Sequence, residues 1–98
     1  MTEQTPDKVH KQIRKLQLPT GGKVAFVPKL IKNRRGHFEI KKQTVLHGPR
    51  KGRIGYVDVE GRIWLKDYAH AQYPDHWDVQ IHAGKDYLRV GFDGEPLP

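Results

Sequence analysis

A short segment near the end of the chain gathers side chains that can do chemistry. The segment reads His76-Trp77-Asp78-Val79-Gln80-Ile81-His82. Successive side chains of a β-strand point to opposite faces of the sheet. A strand here therefore presents the four polar residues from His76 to His82 on one face and the three apolar residues between them to the core. Two imidazoles, a carboxylate and an amide in one row are more than solvation of a sheet face requires.

These groups suit a ribonuclease that works without a metal ion. One group removes the proton of the ribose 2′-OH, a second protonates the leaving 5′-oxygen, and a cation stabilises the charged phosphorane. An imidazole can fill both proton roles because its unperturbed pKa is about 6.5. The predicted catalytic residues are His70, His76, Asp78, His82 and Asp67, with Asp78 orienting an imidazole. The predicted RNA-binding residues are Arg89, Gln80, Lys32, Arg34, Arg35 and Lys51.

A metal site is the rival chemical interpretation of the same segment. Nitrogen and oxygen ligands for zinc or another divalent ion are available from His70, His76, Asp78 and His82. However, the chain contains no HExxH or CxxC motif and no recognised spacing of a histidine metal nuclease. We therefore favour the metal-free interpretation and expect no cofactor. His37, Glu39 and His47 are the next acid/base candidates.

The hydropathy pattern predicts one helix and several strands that position this segment. The helix covers about 6–16, since Val9, Ile13 and Leu16 recur at helical spacing. Strands are predicted at 23–27, 37–41, 44–47, 53–57, 62–65, 76–82 and 86–92, with a hairpin turn at 58–61. The predicted core of the sheet comprises Trp77, Val79, Ile81, Leu88, Val90 and Phe92, with Val24, Phe26, Phe38, Ile40, Ile54 and Tyr56 nearby. We expect one α+β domain over 1–98, with residues 1–6 frayed and the N-terminal helix packed on a largely antiparallel, twisted sheet.

Composition limits the class of protein and its partners. The 98 residues carry a formal net charge of +7, and the first fifty hold twelve Lys and Arg against three Asp and Glu. Such a basic half suits nucleic acid or an acidic protein. Cysteine is absent, which excludes a disulfide scaffold and a cysteine nucleophile. No stretch approaches the roughly 20 apolar residues of a membrane span.

Several motifs resemble those of a known class of bacterial toxin. The run from His76 to Gln80 (HWDVQ) follows Ile63-Trp64-Leu65-Lys66-Asp67-Tyr68-Ala69-His70 and precedes Tyr87-Leu88-Arg89-Val90 and Asp93-Gly94. Residues 52–94 thereby resemble the C-terminal toxin domains of bacterial polymorphic toxins. The segment 77–80 is also similar to the Trp-Asp-x-Gln-His core of the rRNA-cleaving colicin nuclease domain, although Ile81 intervenes here before His82.

The resemblance implies a setting in which the domain acts. It implies a toxin tip carried by a larger secreted or contact-delivered protein, acting as a nuclease on rRNA or tRNA in the cytoplasm of a rival cell. It also implies a cognate immunity protein, which we expect to have an acidic surface. Two other classes stay open from the residues alone, namely a non-catalytic RNA-binding module and an interaction domain for an acidic protein.

Overall fold

A computed structural model of the chain describes residues 5–67 and 75–98, and these contain one α-helix and seven strands. The helix α1 spans Asp7–Leu16. The strands are β1 (Leu30–Lys32), β2 (Phe38–Ile40), β3 (Lys42–Thr44), β4 (Ile54–Val57), β5 (Ile63–Asp67), β6 (His76–Ile81) and β7 (Asp86–Gly91), with a 3₁₀ turn at His82–Gly84. The predicted α+β class is confirmed, because α1 packs on antiparallel strands. No helix among these residues is long and apolar enough to span a membrane.

Helix α1 forms where apolar residues recur at helical spacing, and a backbone cap ends it. Val9 and Ile13 are buried against the sheet. Gln17 adopts a left-handed conformation with φ 64°, and the Leu18 N–H then donates to the Ile13 carbonyl at 3.1 Å. This closure satisfies a carbonyl of the last turn and buries Leu18 beside the helix end. The predicted helix is therefore confirmed at both ends.

The main sheet is an antiparallel meander in the order β3-β4-β5-β6-β7. The predicted hairpin of 53–65 is β4–β5, and Asp58 organises its turn. Asp58 Oδ1 accepts hydrogen bonds from the backbone N–H groups of Glu60 and Arg62, at 3.0 and 2.9 Å. Its Oδ2 accepts from Arg62 Nε at 2.7 Å and from the buried Trp64 Nε1 at 2.9 Å. This buried carboxylate is thus fully occupied in holding the turn.

Both faces of the main sheet are covered. One face carries Trp64 and Trp77 and packs against α1 in a core that comprises Val9, Ile13, Leu18, Phe26, Ile40, Trp64, Trp77, Val79 and Val90. The opposite face holds a smaller core of Val45, Val57, Ile63 and Leu65. Because Val45 precedes β4, the segment between β3 and β4 supplies the cover for this second face.

The burial of the second face corrects one prediction about β6. The alternation is as predicted, since Trp77 and Val79 lie in the larger core. However, the polar residues between them do not form an open face. His76, Asp78 and Gln80 expose 0%, 1% and 1% of their surface. A period of two identifies which residues share a face, but it does not reveal what covers that face.

Several other predictions differ from the structure. Residues 23–27 form an irregular loop instead of a strand, and Phe26 enters the core from this loop. The Phe26 N–H donates to Pro19 O at 2.8 Å and not to a neighbouring strand. A strand forms instead at β1, where no strand is predicted. The predicted strand at 44–47 lies earlier, as β3. Two predicted core residues are exposed, Ile54 at 65% and Phe38 at 42%.

Candidate functional site

Two adjacent strands bring an imidazole and two carboxylates together at one end of the main sheet. Strand β5 ends at Asp67 and β6 begins at His76, and these two residues are direct partners in the antiparallel register. Asp78 shares the face of His76, with Leu65 and Arg89 opposite it on the flanking strands. The predicted association of Asp67, His76 and Asp78 is therefore present, with Asp67 at the end of a strand rather than in a loop.

The imidazole of His76 lies between the two carboxylates. Its Nε2 is 3.5 Å from Asp67 Oδ2 and 3.5 Å from Asp78 Oδ1. The His76 side chain is fully buried, the Asp78 side chain is 2% exposed, and the Asp67 side chain is 18% exposed. Asp67 is thus the member of this trio that reaches solvent. We refer to Asp67, His76 and Asp78, together with Arg50, as the acid–histidine cluster.

Arg50 joins the cluster from a loop that lies far from it in sequence. Its Nη2 donates to Asp78 Oδ2 at 2.8 Å and to Asp67 Oδ2 at 3.1 Å, and its Nε donates to Asp78 Oδ2 at 3.1 Å. The hydrogen bonds to Asp78 raise the pKa of Arg50, and the negative charges of both carboxylates raise it further. Partial burial lowers this pKa, but the net shift is upward. The guanidinium stays charged and bridges the two acids while 37% of its side chain remains exposed.

Backbone contacts hold the Arg50 loop over the sheet. The N–H groups of Leu46 and His47 both donate to Ala83 O, at 3.0 and 2.9 Å. Gly84 has φ 108°, and a Cβ at this position would lie 2.1 Å from His47 O. Only glycine permits this approach, because any other side chain would collide with the backbone and the positive φ would be strained. The 3₁₀ turn therefore acts as the docking point of the loop that carries Arg50.

Gln80 adds an unusual buried amide next to the cluster. It lies two residues beyond Asp78 on the same face, between Ile63 and Tyr87 on the flanking strands. Neither its Nε2 nor its Oε1 has a hydrogen-bond partner among the described residues. A buried polar group without a partner costs about 1–3 kcal/mol, so Gln80 is poorly explained by stability alone.

The cluster also has the donor set of a metal site. One ligand atom from each of Asp67, His76 and Asp78 lies within 4.8 Å of the others. Metal–ligand bonds of about 2.0–2.1 Å in a tetrahedral zinc site imply ligand atoms roughly 3.3 Å apart, and the two 3.5 Å separations at His76 approach this value. The residues therefore fit a divalent ion in kind and in spacing. Against this, Arg50 already donates to Asp67 Oδ2, the same oxygen that lies 3.5 Å from His76 Nε2.

Two predicted catalytic histidines do not belong to the described cluster. The prediction that His82 continues the face of His76 is wrong, because β6 ends at Ile81 and His82 enters the 3₁₀ turn with φ 54°. The His82 side chain is 74% exposed, and its Nδ1 lies 3.5 Å from Asp86 Oδ2. His70 lies outside the described residues.

The predicted RNA-binding residues occupy separate parts of the molecule. Arg89 lies on the face of Asp78, and its guanidinium carbon is 5.6 Å from the centre of the Tyr87 ring. Lys51 is exposed next to Arg50 in the covering loop. The remaining three cations, Lys32, Arg34 and Arg35, are exposed on the β1–β2 hairpin, which forms its own two-stranded sheet.

Sequence reasoning missed Arg50. The segment 48–52 is basic and rich in turn residues, but nothing in its pattern distinguishes Arg50 from Lys51. The signal that would have pointed to Arg50 is the burial of Asp78, since a buried carboxylate requires a partner, and this burial becomes visible only in the structure. Comparison of the chain with protein-family models, with curated proteins and with solved structures finds no match. The geometry of the cluster is therefore the basis for proposing a function.

Proposed function

We propose that this chain is an antibacterial toxin domain that cleaves RNA as a metal-independent endoribonuclease in the cytoplasm of a target cell. The main supporting observation is the acid–histidine cluster, in which His76 lies 3.5 Å from both Asp67 and Asp78 while Arg50 bridges the same two carboxylates. This arrangement combines a proton-transfer group, two neighbouring acids and a cation that is hydrogen-bonded to both acids.

The proposed reaction is an internal transesterification of the RNA backbone. The ribose 2′-oxygen attacks the phosphorus, the P–O2′ bond forms, and the P–O5′ bond breaks. The Asp67–His76 pair accepts the 2′-OH proton, and a second group, with His70 as the sequence candidate, returns a proton to the leaving 5′-oxygen. Asp78 orients His76 and holds Arg50. The exposed part of the Arg50 guanidinium stabilises the negative charge of the phosphorane.

Arg50 favours a metal-free mechanism over a metal-dependent one. Its guanidinium donates to one oxygen of each carboxylate and thereby supplies positive charge beside the two acids that a divalent ion would need as ligands. A cation bound at this point would be repelled by the guanidinium and would compete with it for Asp67 Oδ2. Arg50 also presents a planar donor group suited to a phosphate, which a metal-only site would not need.

The experiment measures cleavage of an RNA oligonucleotide and of its DNA counterpart in EDTA. Because His76 is fully buried, His76→Gln is preferable to alanine, which would leave a cavity. We expect His76→Gln to cleave RNA about 10²- to 10⁴-fold more slowly than the parent, whereas the control His82→Gln cleaves at the parental rate. Circular dichroism establishes that both variants are folded. Parental cleavage by folded His76→Gln, or the absence of RNA cleavage by the parent in any buffer, would refute the proposal.

A metal-dependent nuclease is the second candidate, and the spacing of the donor atoms in the cluster favours it. Asp67, His76 and Asp78 would hold the ion, which would activate a water or polarise a phosphoryl oxygen. The same assay separates the two mechanisms. Cleavage that disappears in EDTA and returns with manganese or zinc supports the metal site, whereas cleavage unaffected by EDTA supports the metal-free one.

The biological setting is proposed together with the activity. We propose that the domain is delivered by a larger carrier protein, that its substrate is rRNA or tRNA, and that an acidic immunity protein neutralises it in the producing cell. The exposed cations at Lys32, Arg34, Arg35 and Lys51 support both an RNA and an acidic protein as ligands. Binding of RNA without any cleavage would instead support a non-catalytic module.

A further inference from the structure

The β1–β2 hairpin combines exposed cations with an exposed aromatic ring, apart from the acid–histidine cluster. It pairs only with itself in a two-stranded sheet and packs beside α1. We propose that this hairpin is a binding element for single-stranded RNA, in which Phe38 stacks on a base and the surrounding cations bind phosphates. The inference rests on the proposed function in that the bound strand is the substrate RNA.

The tip of the hairpin is preorganised by Asn33. The Asn33 side-chain Oδ1 accepts hydrogen bonds from the N–H groups of Arg35 and His37, at 2.9 and 3.0 Å. The backbone closes the same turn, because Asn33 N–H donates to His37 O and Gly36 N–H donates to Asn33 O. Gly36 has φ 81°, which a glycine adopts without strain. The turn therefore holds a fixed shape that projects Arg34 and Arg35.

The side chains at the tip are available to a ligand. Arg34 and Arg35 are exposed, and neither forms an ion pair within residues 5–67 and 75–98. The turn fixes their backbone, so a phosphate contact orders only the side chains. Elsewhere, the arginines at Arg50 and Arg62 are committed to carboxylates.

Phe38 is the feature that distinguishes this surface from an ordinary solvated one. In the register, Phe38 lies opposite Lys32 and on the same face as the buried Ile40. It is nevertheless 42% exposed, and Lys32 Nζ lies 5.6 Å from the centre of its ring. An exposed ring beside a cation offers a stacking surface to any nucleobase, because every base has a π-face. A role in stacking also accounts for an aromatic side chain at position 38, which lies outside the buried core.

The groove next to Phe38 supports a polyanion as the occupant. It runs between α1 and the hairpin and is lined by Lys8, Gln12, Phe38 and Lys42, among others. Glu39 is the one acidic residue among the described residues that line it, and its Oε2 accepts a hydrogen bond from Asn33 Nδ2 at 3.5 Å. A single strand offers phosphates to the lysines and unstacked bases to the ring at the same time. A duplex hides its bases from the ring, so a single strand fits better.

The test measures binding of a fluorescent 2′-O-methyl oligoribonucleotide of about ten nucleotides by anisotropy. This probe lacks the nucleophilic 2′-OH, so binding is measured without cleavage. We expect Phe38→Ala to raise Kd about 5- to 100-fold and Phe38→Trp to retain affinity, because stacking depends on the ring. The controls are Val59→Ala, which removes another exposed apolar side chain, and Lys85→Ala, which removes an exposed charge outside the hairpin.

The salt dependence separates stacking from charge. Phe38→Ala should leave the slope of log K against log salt unchanged, whereas Arg34→Ala and Arg35→Ala should each reduce it by about 0.7. Equal affinity of Phe38→Ala and Val59→Ala would overturn the inference and leave this face to a protein partner. Cleavage of unmodified RNA is scored separately. If Phe38→Ala leaves Kd unchanged while the parent cleaves RNA, only this inference is refuted. If Phe38→Ala raises Kd but the parent does not cleave RNA, only the proposed enzymatic activity is refuted.

Discussion

Replacing Arg50 tests whether the acid–histidine cluster depends on its guanidinium. Arg50→Met keeps much of the side-chain volume but removes the donors to Asp67 Oδ2 and Asp78 Oδ2, which lie 3.1 and 2.8 Å away. The Asp78 side chain, 2% exposed, is then left as a buried carboxylate without its cation. Breaking a fully buried ion pair costs about 3–5 kcal/mol. Because the Arg50 side chain is 37% exposed, solvent screens the pair, and we expect a loss of about 1–3 kcal/mol.

Chemical and thermal denaturation measure this loss. For a domain of this size, 2 kcal/mol corresponds to a fall in Tm of roughly 8–16 °C. The matched control is Lys51→Met, which removes an exposed neighbouring charge and should change stability by less than about 0.5 kcal/mol. Adding Asp78→Asn to Arg50→Met should recover part of the loss, since the amide carries no charge. Equal stability of Arg50→Met and Lys51→Met would refute the role assigned to the guanidinium.

The pH dependence gives an independent check on the same pair. The pKa of Arg50 is raised in the folded state, so its stabilising contribution is complete below the ordinary arginine pKa and is lost only as pH rises through the folded value. The guanidinium is therefore charged throughout about pH 5–9, and a pH dependence of cleavage in that range cannot arise from deprotonation of Arg50. We therefore expect the contribution of Arg50 to the free energy of unfolding to stay constant between about pH 6 and pH 9, which denaturation of the parent and of Arg50→Met at both pH values measures.

Three further outcomes follow from contacts elsewhere in the molecule. Gly84→Ala should displace the Arg50 loop, because the added Cβ would lie 2.1 Å from His47 O. The cleavage rate should therefore fall far more than in the control Gly61→Ala, where φ is also positive but the added Cβ meets nothing within 4 Å. Asp58→Ala should lower the free energy of unfolding by about 2–4 kcal/mol, since it leaves Arg62 Nε and Trp64 Nε1 without their acceptor, yet the folded fraction should cleave RNA at the parental rate. Association with an acidic immunity protein should slow markedly between about 0.05 and 0.5 M salt in stopped-flow measurements, and a rate independent of salt would argue against electrostatic steering.

The parts of the fold that follow from local pattern were predictable. Helix α1, the β4–β5 hairpin and the inward side of β6 depend on spacing and turn residues, and these are visible in the sequence. The same holds for the association of Asp67, His76 and Asp78, because residues close in the chain become partners in antiparallel strands.

The parts that depend on distant packing were not predictable. The burial of His76, Asp78 and Gln80 arises from a loop whose apolar anchor, Val45, is a single residue without periodic context. Arg50 reaches Asp78 across 28 residues, and its loop is positioned by backbone contacts with the 3₁₀ turn. Phe38 fits a core pattern by alternation, but the core ends at Ile40 on that face.

The sequential pairing of β4, β5, β6 and β7 has a consequence for the order in which the site assembles during folding. Neighbouring strands need to close only short loops, so the meander can form from local contacts. That step brings Asp67 and Asp78 close together before Arg50 is required to be near them, and the two like charges oppose it. The guanidinium arrives only when the preceding loop docks on the 3₁₀ turn. We therefore expect a slow final phase in the refolding of the parent protein, during which cleavage activity appears after the strands have formed.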